Sequence, residues 1–409
     1  MDVARGSMEK TTETAAAGAV ALPEDVLREI LARVAGAAAL FRCAVACKRW
    51  RGLVSDPAFL RGHWPDPPSL VGFFVQVRSY RARGPAVPSA PALVPARGSP
   101  LGRACRSLRS LVSCAAGLLD DAVPFVSRDG LLLVRLVDAP TEVPGGVRLT
   151  VCDLIAGTCD ELPPLRCRFG FRINSCAVVT FADDGRRRPA FFKVLLLVFN
   201  RDTFTYDLCA YSSTEPGWRA PIVCFRSVML AVVDGGAVVR RGTAHWLVRD
   251  RWNGLYTLEM SDDASLVGTS IPPPSDHHDH EHTQCIGAAI DDGALSLHRL
   301  CKDCLWLEVW TRRDEERSGD AEWLQTKAVK LKWPKKNKTD KVECLRLHER
   351  SGALFVEDVY ERMYAVDLET GEMDEVTGLL WHLRSQTSAP FDMDWPAFFE
   401  SRLGGQQTD

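Results

Sequence analysis

The chain has 409 residues, 46% of them hydrophobic and 25% charged, the balance of a folded globular protein rather than of a disordered one. Its formal net charge of -3 excludes a general polyanion binder, which needs a strongly basic surface, so no nucleic acid is expected among its partners. Apolar runs such as Val194 to Phe199 fall far short of a bilayer span. The chain therefore reads as soluble, without a membrane partner, and resident in cytoplasm, nucleus or both.

Residues 1–20 are rich in Ala, Thr and Gly, with no basic leader ahead of an apolar core, and read as a disordered tail rather than a secretory signal. A helix then opens at Pro23, whose missing N–H costs nothing there, with Glu24 and Asp25 in its first turn where the macrodipole favours negative charge. Val26, Leu27, Ile30, Leu31 and Val34 recur on one stripe and Arg28, Glu29 and Arg33 face away. A second helix starts near Ala37 and carries Leu40 and Phe41. A third carries Val45, Trp50, Leu53 and Val54, with Lys48, Arg49 and Arg51 outward, and Asp56-Pro57 stops it. Three short helices over residues 21–62 make too small a core to stand alone, so a partner surface is the expected cover.

Leu22-Pro23-Glu24-Asp25-Val26-Leu27-x-Glu29-Ile30-Leu31, followed by Val45-x-Cys47-Lys48-x-Trp50-x-x-Leu53-Val54-x-Asp56-Pro57-x-Phe59, resembles an F-box of the plant type. The resemblance implies docking on the Skp-type adaptor of a Skp–cullin–F-box ubiquitin ligase, and through it on a cullin. The positions that match its contact residues are Leu22, Pro23, Leu27, Ile30, Leu31, Leu40, Val45 and Trp50. Where the family has Pro after the first helix and a capping Ser or Asp, this chain has Ala35-Gly36-Ala37-Ala38-Ala39. Its second helix thus starts without a side-chain cap, a loss of about 1 kcal/mol.

From Leu70 the period changes. Leu70 to Val77 reads as a buried strand, and the Pro-rich residues 82–100 as a long surface insertion. A loose repeat follows, in which a Gly-led apolar strand precedes a second strand ending in a polar turn. The opening strands are Gly130 to Val134, Gly242 to Leu247, Gly293 to Leu297 and Gly352 to Val356; their followers are Leu149 to Leu154, Gly254 to Leu258, Leu305 to Trp310 and Met363 to Gly371. A fifth pair, Phe192 to Leu197 and Asp207 to Ser212, lacks the glycine. Recurrence at about 50 residues is kelch-like spacing, one four-stranded propeller blade per unit. The fold expected is mostly β with a small N-terminal α module: a three-helix F-box, then an irregular β-propeller over residues 66–400 with about six blades, five to seven being compatible with the spacing. An open pair of β-sandwiches is the competing architecture. The repeat resembles the plant F-box-associated propeller. The aromatic tail Phe391 to Phe399 is expected to pack back and close the ring near the first strand, with residues 401–409 frayed.

Fourteen cysteines without disulfide-framework clustering read as reduced thiols, with Cys43, Cys47, Cys152, Cys176, Cys209, Cys224 and Cys344 serving as small buried hydrophobes. Asp276 to His282 follows three prolines and reads as a solvated loop rather than a metal site, and Cys301-Lys302-Asp303-Cys304 as two hairpin cysteines. Lys330 to Lys341 is a solvated loop or a nuclear localisation signal; Arg186 to Arg188 and Arg312 to Glu322 read as charged loops. Trp246, Trp306, Trp310 and Trp323 fall on strand positions, as packing groups first, with some at blade mouths as the alternative lining of a binding face. No phosphate-binding, zinc-protease or serine-hydrolase motif occurs, so no catalytic residue, metal or cofactor is assigned. The reading is a non-catalytic substrate-recognition subunit, its helices on the adaptor and its propeller on an unidentified target protein. A scaffold that binds the adaptor without delivering a target, or a propeller carbohydrate binder or enzyme, are the alternatives.

Overall fold

Each strand pair of the repeat becomes the second and third strands of a four-stranded antiparallel sheet in the computed structural model, and six such sheets form a propeller. The structure describes residues 22–34, 36–64, 69–76, 90–96, 99–102, 104–115, 117–136, 146–166, 172–182, 189–260, 266–273, 281–288, 293–314, 321–334, 341–348, 352–360, 362–376 and 388–403. The expected disordered tail, the prolines between Leu60 and Leu70, residues 82–89, Arg186 to Arg188, Asp276 to His280, Lys335 to Lys338 and residues 404–409 lie outside them.

Four helices lead the chain: α1 (Glu24–Ala32), α2 (Ala37–Ala46), α3 (Lys48–Val54) and α4 (Pro57–His63). The third helix is shorter than expected. Val45 lies in the last turn of α2, and Asp56-Pro57 starts a further helix instead of only stopping one. Asp56 caps α4 by accepting from the Ala58 N–H at 2.8 Å, and Pro57 takes the first helical position. Cys47 is exposed, not buried, because it caps α3, its Sγ accepting from the Trp50 N–H at 3.4 Å.

Blade 1 comprises β1 (Ser69–Val75), β2 (Ala92–Pro95), β3 (Arg106–Ser107) and, from the other end of the chain, β24 (Ser388–Met393). Blade 2 comprises β4 (Val123–Arg128), β5 (Leu131–Leu136), β6 (Arg148–Asp153) and β7 (Thr158–Glu161). Blade 3 comprises β8 (Arg172–Ala182), β9 (Pro189–Asn200), β10 (Thr205–Ser212) and β11 (Ile222–Arg226). Blade 4 comprises β12 (Leu230–Arg240), β13 (Thr243–Asp250), β14 (Leu255–Met260) and β15 (Leu266–Ile271). Blade 5 comprises β16 (His282–Ala288), β17 (Leu295–Cys301), β18 (Trp306–Asp314) and β19 (Ala321–Lys330). Blade 6 comprises β20 (Val342–Leu347), β21 (Leu354–Asp358), β22 (Met363–Val366) and β23 (Met373–Glu375). A final helix, α5 (Trp395–Leu403), follows β24.

The alternation of side chains along a strand accounts for the ring. In β9, Val194, Leu196 and Val198 pack toward blade 2 with Leu131, Leu133 and Leu149, whereas Leu195 and Leu197 pack toward blade 4 with Ala244, Trp246 and Leu258. Each blade thus buries both faces against its neighbours, which a lone sheet cannot do. β24 is the inner strand of blade 1, paired from Ser69↔Met393 to Val75↔Ser388, so the end of the chain does close the ring on the first strand. The loop expectations need correction at four places: His282 opens β16 and Lys330 ends β19 rather than lying in loops, and two further stretches differ. Within the Pro-rich 82–100 stretch, Ala92–Pro95 is a strand, with Leu93 and Val94 buried against β1. Arg312 and Glu322 are not loop residues but lie on β18 and β19; buried Arg312 is tolerated there because its guanidinium pairs with Glu259 of blade 4 at 2.5 Å. The packed body also continues past residue 400 to the buried Leu403.

His298 in β17 and His348 after β20 are buried, and burial pushes each imidazole down to about 4 from 6.5. The unfolded chain therefore takes up these protons first as pH falls. Their contribution is present above about pH 6.5 and is lost as pH drops toward 4, by about 2 kcal/mol per histidine at pH 5. Urea unfolding at pH 7.5 and 5.0 checks this: the midpoint falls in the native chain and falls less in His298→Gln, whose amide does not titrate.

Candidate functional site

The helical module is fastened to the propeller by a shared core. Leu27, Leu31, Leu40, Ala44, Leu53, Val54, Phe59 and Leu60 pack in one cluster with Phe74, Leu93, Leu132, Phe391, Trp395 and Phe399. Rings continue the seam: Phe41 lies 5.9 Å from Phe399, and Trp64 stacks on Phe399 at 5.2 Å. The cover that the small helical core requires is thus supplied in part by the chain itself, through blades 1 and 2 and α5. Propeller backbone also replaces the missing cap of α2. Gly36, at φ +99°, leaves the Ala37 N–H free to donate to the Pro100 carbonyl at 3.0 Å, so tertiary structure satisfies the donor.

The eight candidate contact residues divide. Leu27, Leu31 and Leu40 are in the shared core, and Trp50 is half-buried against it. Leu22, Ile30 and Val45 are 47%, 43% and 49% exposed, and Pro23 is exposed with them. Large apolar side chains so exposed on a module with a packed underside form an unpartnered ridge. Polar bonds hold its shape. Arg49 donates to the Leu22 carbonyl at 2.5 Å, drawing the start of α1 beside α3. Arg28 pairs with Asp56 at 2.6 Å, tying α1 to the cap of α4, and this bond holds the Asp56 carboxyl below the usual carboxylate range.

Strand direction sets the faces of the ring. In an antiparallel blade, the hairpin joining the second and third strands and the connection to the next blade open on one face; the remaining turns open on the other. α4 enters at the start of β1 and α5 leaves at the end of β24, ends that pair as Ser69↔Met393, so the helices occupy the second face. The first face is left to the hairpins.

Two histidine–carboxylate pairs lie at blade junctions. His245 lies 3.7 Å from Glu259, beside Arg312, where blades 4 and 5 meet, and His348 lies 4.0 Å from Asp392 where blades 6 and 1 meet. Among the described residues no group of three or more His, Cys, Asp or Glu is placed to hold a metal ion. Cys301 is buried at the end of β17 and Cys304 exposed in the following turn, whose backbone N–H donates to Cys301 Sγ at 3.4 Å.

Residues 19–62 match the F-box-like family, and residues 96–356 match the family described as Domain of unknown function (DUF7595). No curated protein matches the chain. Similar solved structures include an α-L-arabinanase of Penicillium chrysogenum complexed with arabinobiose, 11% identical over 62% of this chain and 79% of that one, with a TM-score of 0.38. The SapL1 lectin in complex with α-methyl fucoside is 10% identical over 71% and 90% at a TM-score of 0.42. A fucose-specific lectin of Aleuria aurantia is 11% identical over 63% and 77% at 0.35.

Proposed function

From the premise that this chain belongs to the DUF7595 family, whose function is unknown, and carries an F-box-like module ahead of that domain, we propose that it is a substrate-recognition subunit of a Skp–cullin–F-box ubiquitin ligase. The observation that carries the reading is the ridge of Leu22, Pro23, Ile30 and Val45, left in solvent on a module whose other side is buried. The Skp-type adaptor would cover that ridge, and the kelch-like propeller would hold a target protein on the opposite face. The chain itself would make and break no bond. Tethering through a shared core holds adaptor and target at a defined separation and raises their effective concentration to about the millimolar range. The reading places the protein in cytoplasm, nucleus or both. Co-expression with a Skp-type adaptor tests it: a one-to-one complex on gel filtration is expected, and two separate peaks would overturn it. A scaffold would form the same complex, but no cellular protein would live longer when the chain is removed.

A further inference from the structure

The face of the propeller away from the helices carries a contiguous apolar and cationic patch where blades 3 and 4 adjoin. Phe204 sits in the hairpin between β9 and β10, and Val228 and Met229 in the connection from β11 to β12. The two segments touch, the Ser227 N–H donating to the Phe204 carbonyl at 2.8 Å. Leu230 pairs with Asp250 across the β12–β13 ladder, which sets Met229 next to Arg251 and Trp252 of the following hairpin. By strand direction all three segments belong to the same face.

The side chains there are held out. Trp252 is 71% exposed, Phe204 59%, Val228 59% and Met229 53%. Arg251 lies over the Trp252 ring at 4.2 Å, and Arg201 and Arg226 are exposed at the base of the Phe204 hairpin and the end of β11. Two acids lie among them. Asp202 is exposed; Asp250 is occupied by its own turn, accepting from the Trp252 and Gly254 N–H groups at 2.8 and 2.7 Å and from the Tyr256 hydroxyl at 3.0 Å. The patch is thus locally positive on a chain whose net charge is -3. The fold gains little from aromatic rings in water, whereas Trp and Arg are the residues that anchor protein interfaces.

We propose that this patch docks a short acidic segment of another protein, a large apolar side chain entering between Trp252, Met229 and Phe204 while its carboxylates meet Arg201, Arg226 and Arg251. Aliphatic Val228 and Met229 favour a peptide over nucleic-acid bases, which stack on rings. The proposal deepens the target-binding half of the reading above and rests on it, yet peptide binding is measured without the adaptor, so either half fails visibly by itself.

The test is selection of random phage-displayed peptides on the immobilised full-length chain, followed by anisotropy measurements with the enriched peptides in synthetic form. Enriched sequences are expected to flank a large apolar residue with Asp or Glu. Their binding should weaken with salt and fall about tenfold or more in Trp252→Ala and in Arg251→Glu. Both side chains are exposed, so neither change should shift the melt. No enrichment, enrichment of neutral or basic peptides, affinities indifferent to both substitutions, or tighter binding of a polythymidine oligonucleotide that the same substitutions abolish would each overturn it.

Discussion

A chain ended after residue 387 is expected to lose its cooperative melt and to be recovered as aggregated or expanded material. The cut removes β24, the inner strand of blade 1, and strips β1 of the ladder from Ser69 to Val75. It also removes α5, whose start is capped by Asp394 accepting from the Ala397 N–H at 2.9 Å. Ala389, Phe391, Met393, Trp395, Phe399 and Leu403 are all buried, and most of their partners in the shared core would become wet. At about 1.5–3 kcal/mol for each large buried side chain, the loss matches or exceeds the 5–15 kcal/mol that separates a folded domain from its unfolded chain. A milder version is Phe399→Ala, which should lower stability by about 3–5 kcal/mol because Phe41 and Trp64 cannot both collapse into the vacated volume. Calorimetry distinguishes the outcomes; an unchanged transition in the truncated chain would mean that the ring holds without its closing strand.

The second large effect concerns the ridge. Ile30→Asp combined with Val45→Asp should abolish capture of a Skp-type adaptor while leaving the melting temperature nearly where it was. Both side chains are substantially in water, so their replacement removes little buried area from the fold; the helical penalty of Asp is about half a kcal/mol each. At the interface, losing one well-buried anchor typically weakens binding by about 2 kcal/mol, roughly thirtyfold, and a carboxylate left facing an apolar pocket adds to that. Leu31→Asp makes the contrast: it places a charge in the core shared with the propeller and should unfold the module whether or not an adaptor exists. Surface plasmon resonance alongside thermal melts reads both quantities. An adaptor that binds the double variant undiminished would move the docking surface elsewhere.

The second and third strands of each repeat are the ones visible in the sequence because most of their residues are buried and apolar, although β17 also buries Ser296, His298 and Arg299. β17 is buried along its whole length and β5 at all but one position. The outer strands give no such pattern. β7 reads Thr-Cys-Asp-Glu and is almost wholly solvated, and β19 mixes Lys, Glu and Gln with its apolar residues. Arg312 and Glu322 look like loop residues for the same reason: what makes the buried charge of Arg312 acceptable is Glu259, more than fifty positions away and unreadable from local composition. The helix α5 had a local signal in Asp394-Trp395-Pro396, an N-cap with proline in the first turn, although the aromatics alone already indicated a packed end. The patch on the far face had none, because Phe204, Met229 and Trp252 come together only through a loop hydrogen bond and a β-ladder.

Periodicity and turn chemistry by themselves determined a helical module ahead of a blade-repeat β body, since both are set by interactions within a few residues. Tertiary structure alone decided which of the module's apolar side chains are spent on the propeller and which stay in water. Leu27, Ile30 and Leu31 share one helical stripe and are indistinguishable by spacing, yet Leu27 and Leu31 are buried in the core that the helices share with blades 1 and 2 and α5, and Ile30 is left exposed. A side chain's pattern says that it prefers burial; only the surface brought against it by the rest of the fold decides whether it is buried.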